Sequence, residues 1–543
     1  MMHTPRSDRN LHRAVFLSLA AAGGLLRIVP AWLPLDWQLG HILSDDAFYY
    51  FTIARRLARF GLPSFDGLMP TNGFHPLWLS LITPVYTLPI GDDAALRLIV
   101  TFCGILDTVS LLLLIRILRS LHTGFGATAT AAALYAFTPA LLSHAGPLNG
   151  LETSLTVLLL FALLGSYCAV LRNKPRWYAS PGAVGAIMGL TVLARTDTII
   201  IVALLGAALG LIRLPGRTRF ALRTAATALV VLSPWLVWNL MTFGTLLQVS
   251  GEAYALSMSN LHDTASWGVM EYAVRFAGNC ADVLRFFPVR LGTDTKLSYS
   301  FALQGALAAG IALLIIGSML RQPTQAGRAL RRRFLLLCAP LTGGVLFILV
   351  HSFRTIALRG WYYAMVLPVL FLLLGGIVDY LDRGLRRRPR RVAIIAGFIV
   401  LPCLIAVSVV EHLHHGNGEG DKFAALPAVM ETVPRGARIG SWNAGVFGYF
   451  LKERTVVNLD GLVNNAAYTH LTSRSLGMYC RRAGISYLVD EAGAFRIWDP
   501  FWSVQPGSMA RSLRTIRSIG AQGSDATMII AAIRMRPFSG EEP

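Results

Sequence analysis

Charge is what this chain has least of. Aspartate, glutamate, lysine and arginine supply only 14% of its 543 residues against 54% hydrophobic ones, which excludes a soluble globular protein and implies a polytopic membrane protein. Acids are the scarcer sign, 29 against 49 lysines and arginines. The resulting formal net charge of +20 does not imply nucleic acid, because the arginines cluster in short loops between apolar runs. That is the positive-inside pattern, which reports orientation and contact with anionic membrane lipids. The six cysteines lack metal-ligand spacing and mostly fall within apolar runs, so no zinc site is implied. There is no internal repeat and no glycine-rich phosphate loop. Residues 11–30 have the basic flank and apolar core of a signal peptide, but no small-residue cleavage site follows Trp32, so they are expected to be a first span.

What is present is a series of apolar runs, at 14–33, 94–118, 124–144, 151–171, 181–194, 198–212, 222–240, 300–320, 334–351, 361–380 and 391–411, which predict eleven transmembrane helices. Residues 77–89 are apolar but short and hold Pro84, so they are expected to dip into the membrane without crossing. This count places the arginine-rich loops in the cytoplasm. The loop around Asp45, residues 150–153, 194–197, 241–299, 354–363 and everything after His412 then lie on the other face. From 412 to 543 the charge density is ordinary. Short apolar strands at 438–440, 456–459, 486–489 and 528–532 alternate with helical stretches near 423–432, 445–451 and 469–483. The expected architecture is a membrane all-α polytopic bundle over 1–411, followed by a small soluble α/β periplasmic domain over 412–543. His412, His414 and His415 read as a polar linker between the two rather than as a metal site.

The segment 44–78 is polar and aromatic between the first two long apolar runs. Asp45 and Asp46 open it at a membrane surface, where two adjacent carboxylates can hold a divalent cation or take a proton. Ala47, Tyr50, Phe51, Ala54, Leu57 and Ala58 recur at helical spacing, with Arg55, Arg56 and Arg59 on the other face, as in an amphipathic interfacial helix that Gly61 and Pro63 end. Asn72, His75 and their turn-forming neighbours suit a loop folded against a ligand. A plainer account also exists, since Ser44 followed by two acids is a good helix N-cap.

Further polar groups fall on the same face at positions a bilayer normally rejects: Glu152, Arg195, Asp197, Asn239, Arg354 and Arg359. Arg195 and Asp197 also suit a local ion pair at a helix hairpin, Asn239 a bridge between helices, and Trp361, Tyr362 and Tyr363 an interfacial aromatic belt. Carboxylates, arginines and aromatics gathered on one face are what binding a lipid-linked phosphate, holding a sugar ring and deprotonating a hydroxyl require.

In order along the chain, the acidic pair with its aromatic helix, Thr71 to Trp78, Gly150 to Thr153, Ala194 to Asp197, Trp238-Asn239 with Phe243-Gly244, and Arg359 to Tyr363 resemble the bacterial glycosyltransferase C superfamily. The tail is similar to the external domains of such proteins at 440–445 and 457–463. The resemblance implies a multi-pass enzyme of the bacterial inner membrane, a hexosyl- or pentosyltransferase. It would move a sugar from a polyprenyl-phosphate-linked donor to an envelope glycan, lipid or protein acceptor on the periplasmic face. It further implies an inverting displacement with Asp45, or Asp46, as base; Asp46 stands where many members carry glutamate. Arg354 and Arg359 are the expected phosphate partners, with Glu152, Arg195, Asp197, Asn72, His75, Asn239, Trp361 and Tyr362 as further substrate contacts. Some members use a divalent cation such as Mg or Mn, for which Asp45 and Asp46 are the expected ligands. The competing function is a secondary transporter or flippase of lipid-linked or envelope precursors, which predicts matching halves and midplane charges; no halves match here.

Overall fold

The computed structural model describes residues 6–173, 176–211, 216–261, 267–283, 317, 321, 324–354, 358–384, 419–505, 507–520 and 524–534. The chain folds as two compact units, Met1–Leu33 with Arg97–Trp235 and Trp267–Gly416, and Pro34–Leu96 with Leu236–Ser266 and Asn417–Pro543.

The second unit joins the acidic loop to the tail. Its sheet contains β1 (Arg438–Ser441), β2 (Thr455–Asn458), β3 (Tyr487–Glu491), β4 (Leu513–Ile519) and β5 (Met528–Ile533) in the order β2-β1-β3-β5-β4. β1 runs parallel to β2 and β3, while β5 is antiparallel to β3 and β4. The four strands read from sequence are β1, β2, β3 and β5. The fifth, β4, escaped because its run Arg514, Thr515, Ile516, Arg517, Ser518 is exposed and carries no apolar alternation, as suits an edge strand. The expected helix at 469–483 is two helices, Asn465–Thr472 and Leu476–Arg482, because Arg474 takes a left-handed conformation (φ 49°) between them. Trp442, Leu459, Leu488, Trp498 and Trp502 share the core, with the Trp442 and Trp498 rings stacked 6.5 Å apart.

In the same unit the first-loop helix spans Asp45–Phe60 and ends at Gly61, whose left-handed φ of 68° suits glycine. It does not lie as an amphipathic helix with its arginines grouped on one open face. Arg55 is buried, donating to Asp92 at 2.5 Å and to the Tyr449 carbonyl at 3.1 Å, with its guanidinium over the Tyr449 ring. Spacing alone grouped it with Arg56 and Arg59; the tail packs on the helix and claims it. Residues 45–55 thus touch residues 442–450 directly.

The described helices long and apolar enough to cross a membrane, by length and composition, are Asn10–Trp32, Thr153–Leu171 and Gly327–Arg354 in the first unit, with Asp92–Ser120 and Thr218–Phe243 drawn from both units. Shorter apolar helices cover Phe125–Phe137, Pro181–Ala194 and Thr196–Leu211. The expected span 124–144 stops early because Thr138, before Pro139, leaves the helical region for φ −69°, ψ 119°. The expected spans at 300–320, apart from Gly317, and at 391–411 lie outside the described residues, as do His412, His414 and His415. The core runs through Leu114, Tyr135, Phe161, Leu164, Phe347 and Phe371.

A fully buried ion pair crosses this core. Arg27 Nε donates to Asp107 at 2.5 Å, its other nitrogens donate to the carbonyls of Gly23, Tyr135 and Ala136, and the Tyr135 hydroxyl donates to the second Asp107 oxygen. Gly104 lets the two helices meet: a Cβ there would sit 2.6 Å from the Arg27 carbonyl oxygen. Breaking a buried pair on one side costs about 3–5 kcal/mol. Arg27→Met should therefore melt well below the parent in detergent, and adding Asp107→Asn should recover part of the loss; equal melting of Arg27→Met and parent would show that the pair adds no stability.

Candidate functional site

The acidic pair opens the helix Asp45–Phe60, but the Ser44 side chain makes no capping hydrogen bond and its hydroxyl is buried without a partner. Asp45 is engaged elsewhere. Its Oδ2 accepts the Gly445 amide at 3.0 Å, its Oδ1 accepts the Val446 amide at 2.9 Å, and the Lys422 ammonium lies 3.6 Å from Oδ1. Lys422 also pairs with Glu419 at 2.8 Å. Burial works against the Lys422 charge, yet Asp45 and Glu419 hold the ammonium well above the usual lysine range. One turn along, the Tyr49 hydroxyl donates to the Trp442 carbonyl at 3.1 Å and accepts from the Ala444 amide. Asp46 is half-buried beside this contact.

Two tail carboxyls that sequence reading gave no role stand nearby. Asp490, at the end of β3, accepts from the Ser441 hydroxyl, the Trp442 and Asn443 amides and the Asn443 side chain, fixing the loop that presents Gly445 and Val446. Asp460 accepts from the Leu462 amide at 2.8 Å. Burial pushes its carboxyl well above the usual range, hydrogen bonds from Leu462 and Asn458 pull it back, and Asp46 and Asp45 push it further up. The segment 457–463 had been singled out, but nothing local told that its carboxyl faces the first-loop acids.

Asn72 is buried. Its amide donates to Asn239 and to the Leu247 carbonyl, both at 3.1 Å, and its oxygen accepts from Asn465 at 2.9 Å and from the Val249 amide. Asn239 thus does bridge segments. The His75 amide donates to the Tyr50 hydroxyl.

The remaining candidates belong to the first unit. Arg195 is buried and grips Asp197 with Nε at 2.9 Å and Nη2 at 3.0 Å, while Nη1 donates to Glu152 at 2.8 Å. His351 Nε2 lies 3.2 Å from Asp197, and the Tyr362 ring lies 4.3 Å below the guanidinium. One cation here serves two carboxylates, so the local pair expected from sequence is present and widened by Glu152. Trp361 is buried. Arg354 ends the helix Gln325–Arg354, Arg359 precedes the helix Gly360–Tyr363, and both are exposed.

A divalent cation takes several oxygen ligands. Among the described residues no three His, Cys, Asp or Glu side chains are grouped to hold one. Asp45 presents its oxygens to two amides and an ammonium, surroundings that compensate a negative charge already, and as arranged it does not fit a cation.

Residues 75–238 match a family model described as dolichyl-phosphate-mannose-protein mannosyltransferase, and residues 415–528 match one described as a domain of unknown function. No curated protein matches the chain. Among solved structures, the oligosaccharyltransferase AglB of Archaeoglobus fulgidus, in complex with an inhibitory peptide and a dolichol-phosphate, is 15% identical with a TM-score of 0.51, over 98% of this chain and 76% of its own. The Archaeoglobus fulgidus oligosaccharyltransferase in complex with Zn and sulfate gives 15% and 0.53, over 96% and 73%. ArnT from Cupriavidus metallidurans bound to undecaprenyl phosphate gives 13% and 0.53, over 97% and 99%. At these identities the structures share a fold, and with the family-model match over 75–238 they bear out the chain's resemblance to the glycosyltransferase C superfamily.

Proposed function

We propose that the protein is a membrane glycosyltransferase that moves a sugar from a polyprenyl-phosphate-linked donor to a cell-envelope glycan, lipid or protein on the external face of a bacterial inner membrane. The observation that carries this reading is an acidic pair opening a buried first-loop helix, in a chain whose fold is shared with proteins solved holding a dolichol-phosphate and undecaprenyl phosphate. The division at 411/412 between membrane domain and external domain belongs to the same proposal.

The chemistry asks for little beyond placement. A phosphate on the anomeric carbon already leaves well, so the enzyme has to align the acceptor hydroxyl, take its proton and stabilise the departing anion. A carboxylate of the 45–46 pair removes the proton as the hydroxyl oxygen bonds to the anomeric carbon from the face opposite the phosphate. The bond from that carbon to the phosphate oxygen breaks, its electron pair leaves with polyprenyl phosphate, and the anomeric configuration inverts.

Arg354 and Arg359 are the phosphate partners in this reading, since guanidinium grips two phosphate oxygens at once. Trp361 and Tyr362 suit a sugar face, and Asn72, His75 and Asn239 suit hydroxyl contacts. Arg195, held by Glu152 and Asp197, organises its own cluster.

Arg354→Lys or Arg359→Lys should weaken binding of undecaprenyl phosphate to the purified protein by about tenfold, the loss of one charge-assisted bond of a bidentate pair. Arg195→Met should instead lower the melting temperature, because two buried carboxylates lose their cation. Parental melting of Arg195→Met together with lost lipid binding would move the phosphate to Arg195. Orientation has its own test. Cysteines at Met69 and Ser524 in an otherwise cysteine-free chain should both react with an impermeant maleimide in spheroplasts, and one at Arg328 only after permeabilisation; the reverse pattern would invert the proposed topology.

A further inference from the structure

The helices Arg6–Ile28 and Asp92–Ser120 leave between them a groove of about 320 Å³, at the low end of what small-molecule sites occupy. Its two ends differ. His12, Arg13 and Arg119 line one, while Leu17, Leu112 and Ile115 line the stretch beyond. Aromatic contacts fix the basic end: the Arg119 guanidinium lies 5.5 Å from the centre of the Phe16 ring, Phe16 meets Phe125 edge-on at 5.4 Å, and His12 stacks on Phe125 at 3.8 Å. No carboxylate lines the groove, and among the described residues none pairs with Arg13, Arg116 or Arg119. Ile105, Val109 and Leu112, 38–46% exposed, continue the helix face that carries Arg116 and Arg119, in alternating steps of four and three residues. From Arg116 back to Ile105 the helix rises about 16 Å, close to the roughly 15 Å apolar depth of one leaflet. One face therefore runs apolar for a leaflet and then turns basic. The excess of arginine in such loops accounts for charge on this side, but not for a groove that joins it to an apolar wall. A soluble anion would leave that wall bare, whereas a phosphate carried on hydrocarbon matches both ends.

We propose that this groove binds one anionic glycerophospholipid of the surrounding bilayer, its phosphate held by Arg13 and Arg119 and an acyl chain laid along Leu17, Leu112, Val109 and Ile105. The inference needs only that the apolar helices span a membrane; neither the sugar moved nor the residue that takes the proton enters it. On the topology proposed above, the leaflet is the cytoplasmic one. Guanidinium matches phosphate oxygens with two parallel donors, and the Phe16 ring presents that of Arg119 from behind. A lipid seated against both helices stabilises the folded chain by mass action.

Native mass spectrometry of the full-length protein in detergent, titrated with cardiolipin, phosphatidylglycerol or phosphatidylcholine, tests this. The parent should hold one anionic lipid well ahead of phosphatidylcholine and melt higher in its presence. Arg13→Gln and Arg119→Gln should each weaken that binding about tenfold, the loss of one charge-assisted contact, and shrink the melting shift. Leu112→Trp, which fills the groove without changing charge, should weaken it as well. Arg332→Gln, which removes an exposed arginine on another helix, should bind as the parent does. Without lipid all four variants should melt as the parent does, because the replaced side chains are exposed. The proposal is overturned if Arg332→Gln loses as much affinity as Arg119→Gln, the mark of diffuse attraction to a basic face, or if Leu112→Trp binds like the parent. It is overturned too if undecaprenyl phosphate displaces the bound phospholipid and is itself weakened by Arg119→Gln, since the groove would then be a site for the carrier.

Discussion

A carboxylate taken out of water needs a cation or donated hydrogen bonds to remain charged, and the second unit is assembled around two that obtain both. Asp45 meets two amides and Lys422; Asp92 meets Arg55 at 2.5 Å, Lys452 at 2.7 Å and, more loosely, Arg59. Each pairing ties the first loop to the tail or to itself, and together they hold the helix Asp45–Phe60 along its length. Sliding that helix by one residue would leave the buried Asp45 without its amides and ammonium and draw Arg55 away from Asp92. The cost of such a mismatch, several kcal/mol per charge, is what makes the register of loop on tail specific, beyond the apolar packing of Phe48, Phe51 and Tyr449.

Elements whose residues follow one another were legible in the sequence. The buried parallel strands read as short apolar runs, and Arg195 with Asp197 read as an ion pair because they lie two positions apart. Partners brought together from far apart were not. Glu152 joins Arg195 across 43 positions, Arg27 finds Asp107 across 80, and Gly445 reaches Asp45 across 400. Nothing in the composition around Lys422 distinguishes it from any lysine on a helix; its neighbour Glu419 lies on the same helix, and only packing in the second unit brings Asp45 to it as well. The same limit explains Arg55. Helical spacing fixed its angular position, but whether that position meets solvent, lipid or Tyr449 depends on the tail, more than 390 residues away.

The scarcity of charge that marks the sequence gives those buried groups their meaning. In a chain with so few acids, a buried carboxylate that is fully compensated works as a joint. Arg195, with two carboxylates on it, is a joint by the same criterion. Consecutive residues on a helix point about 100° apart, so the first can be locked to the tail while the second faces another direction with the same backbone rigidity behind it. The stiffness that Asp45 gains from Gly445, Val446 and Lys422 passes to Asp46 through one peptide bond.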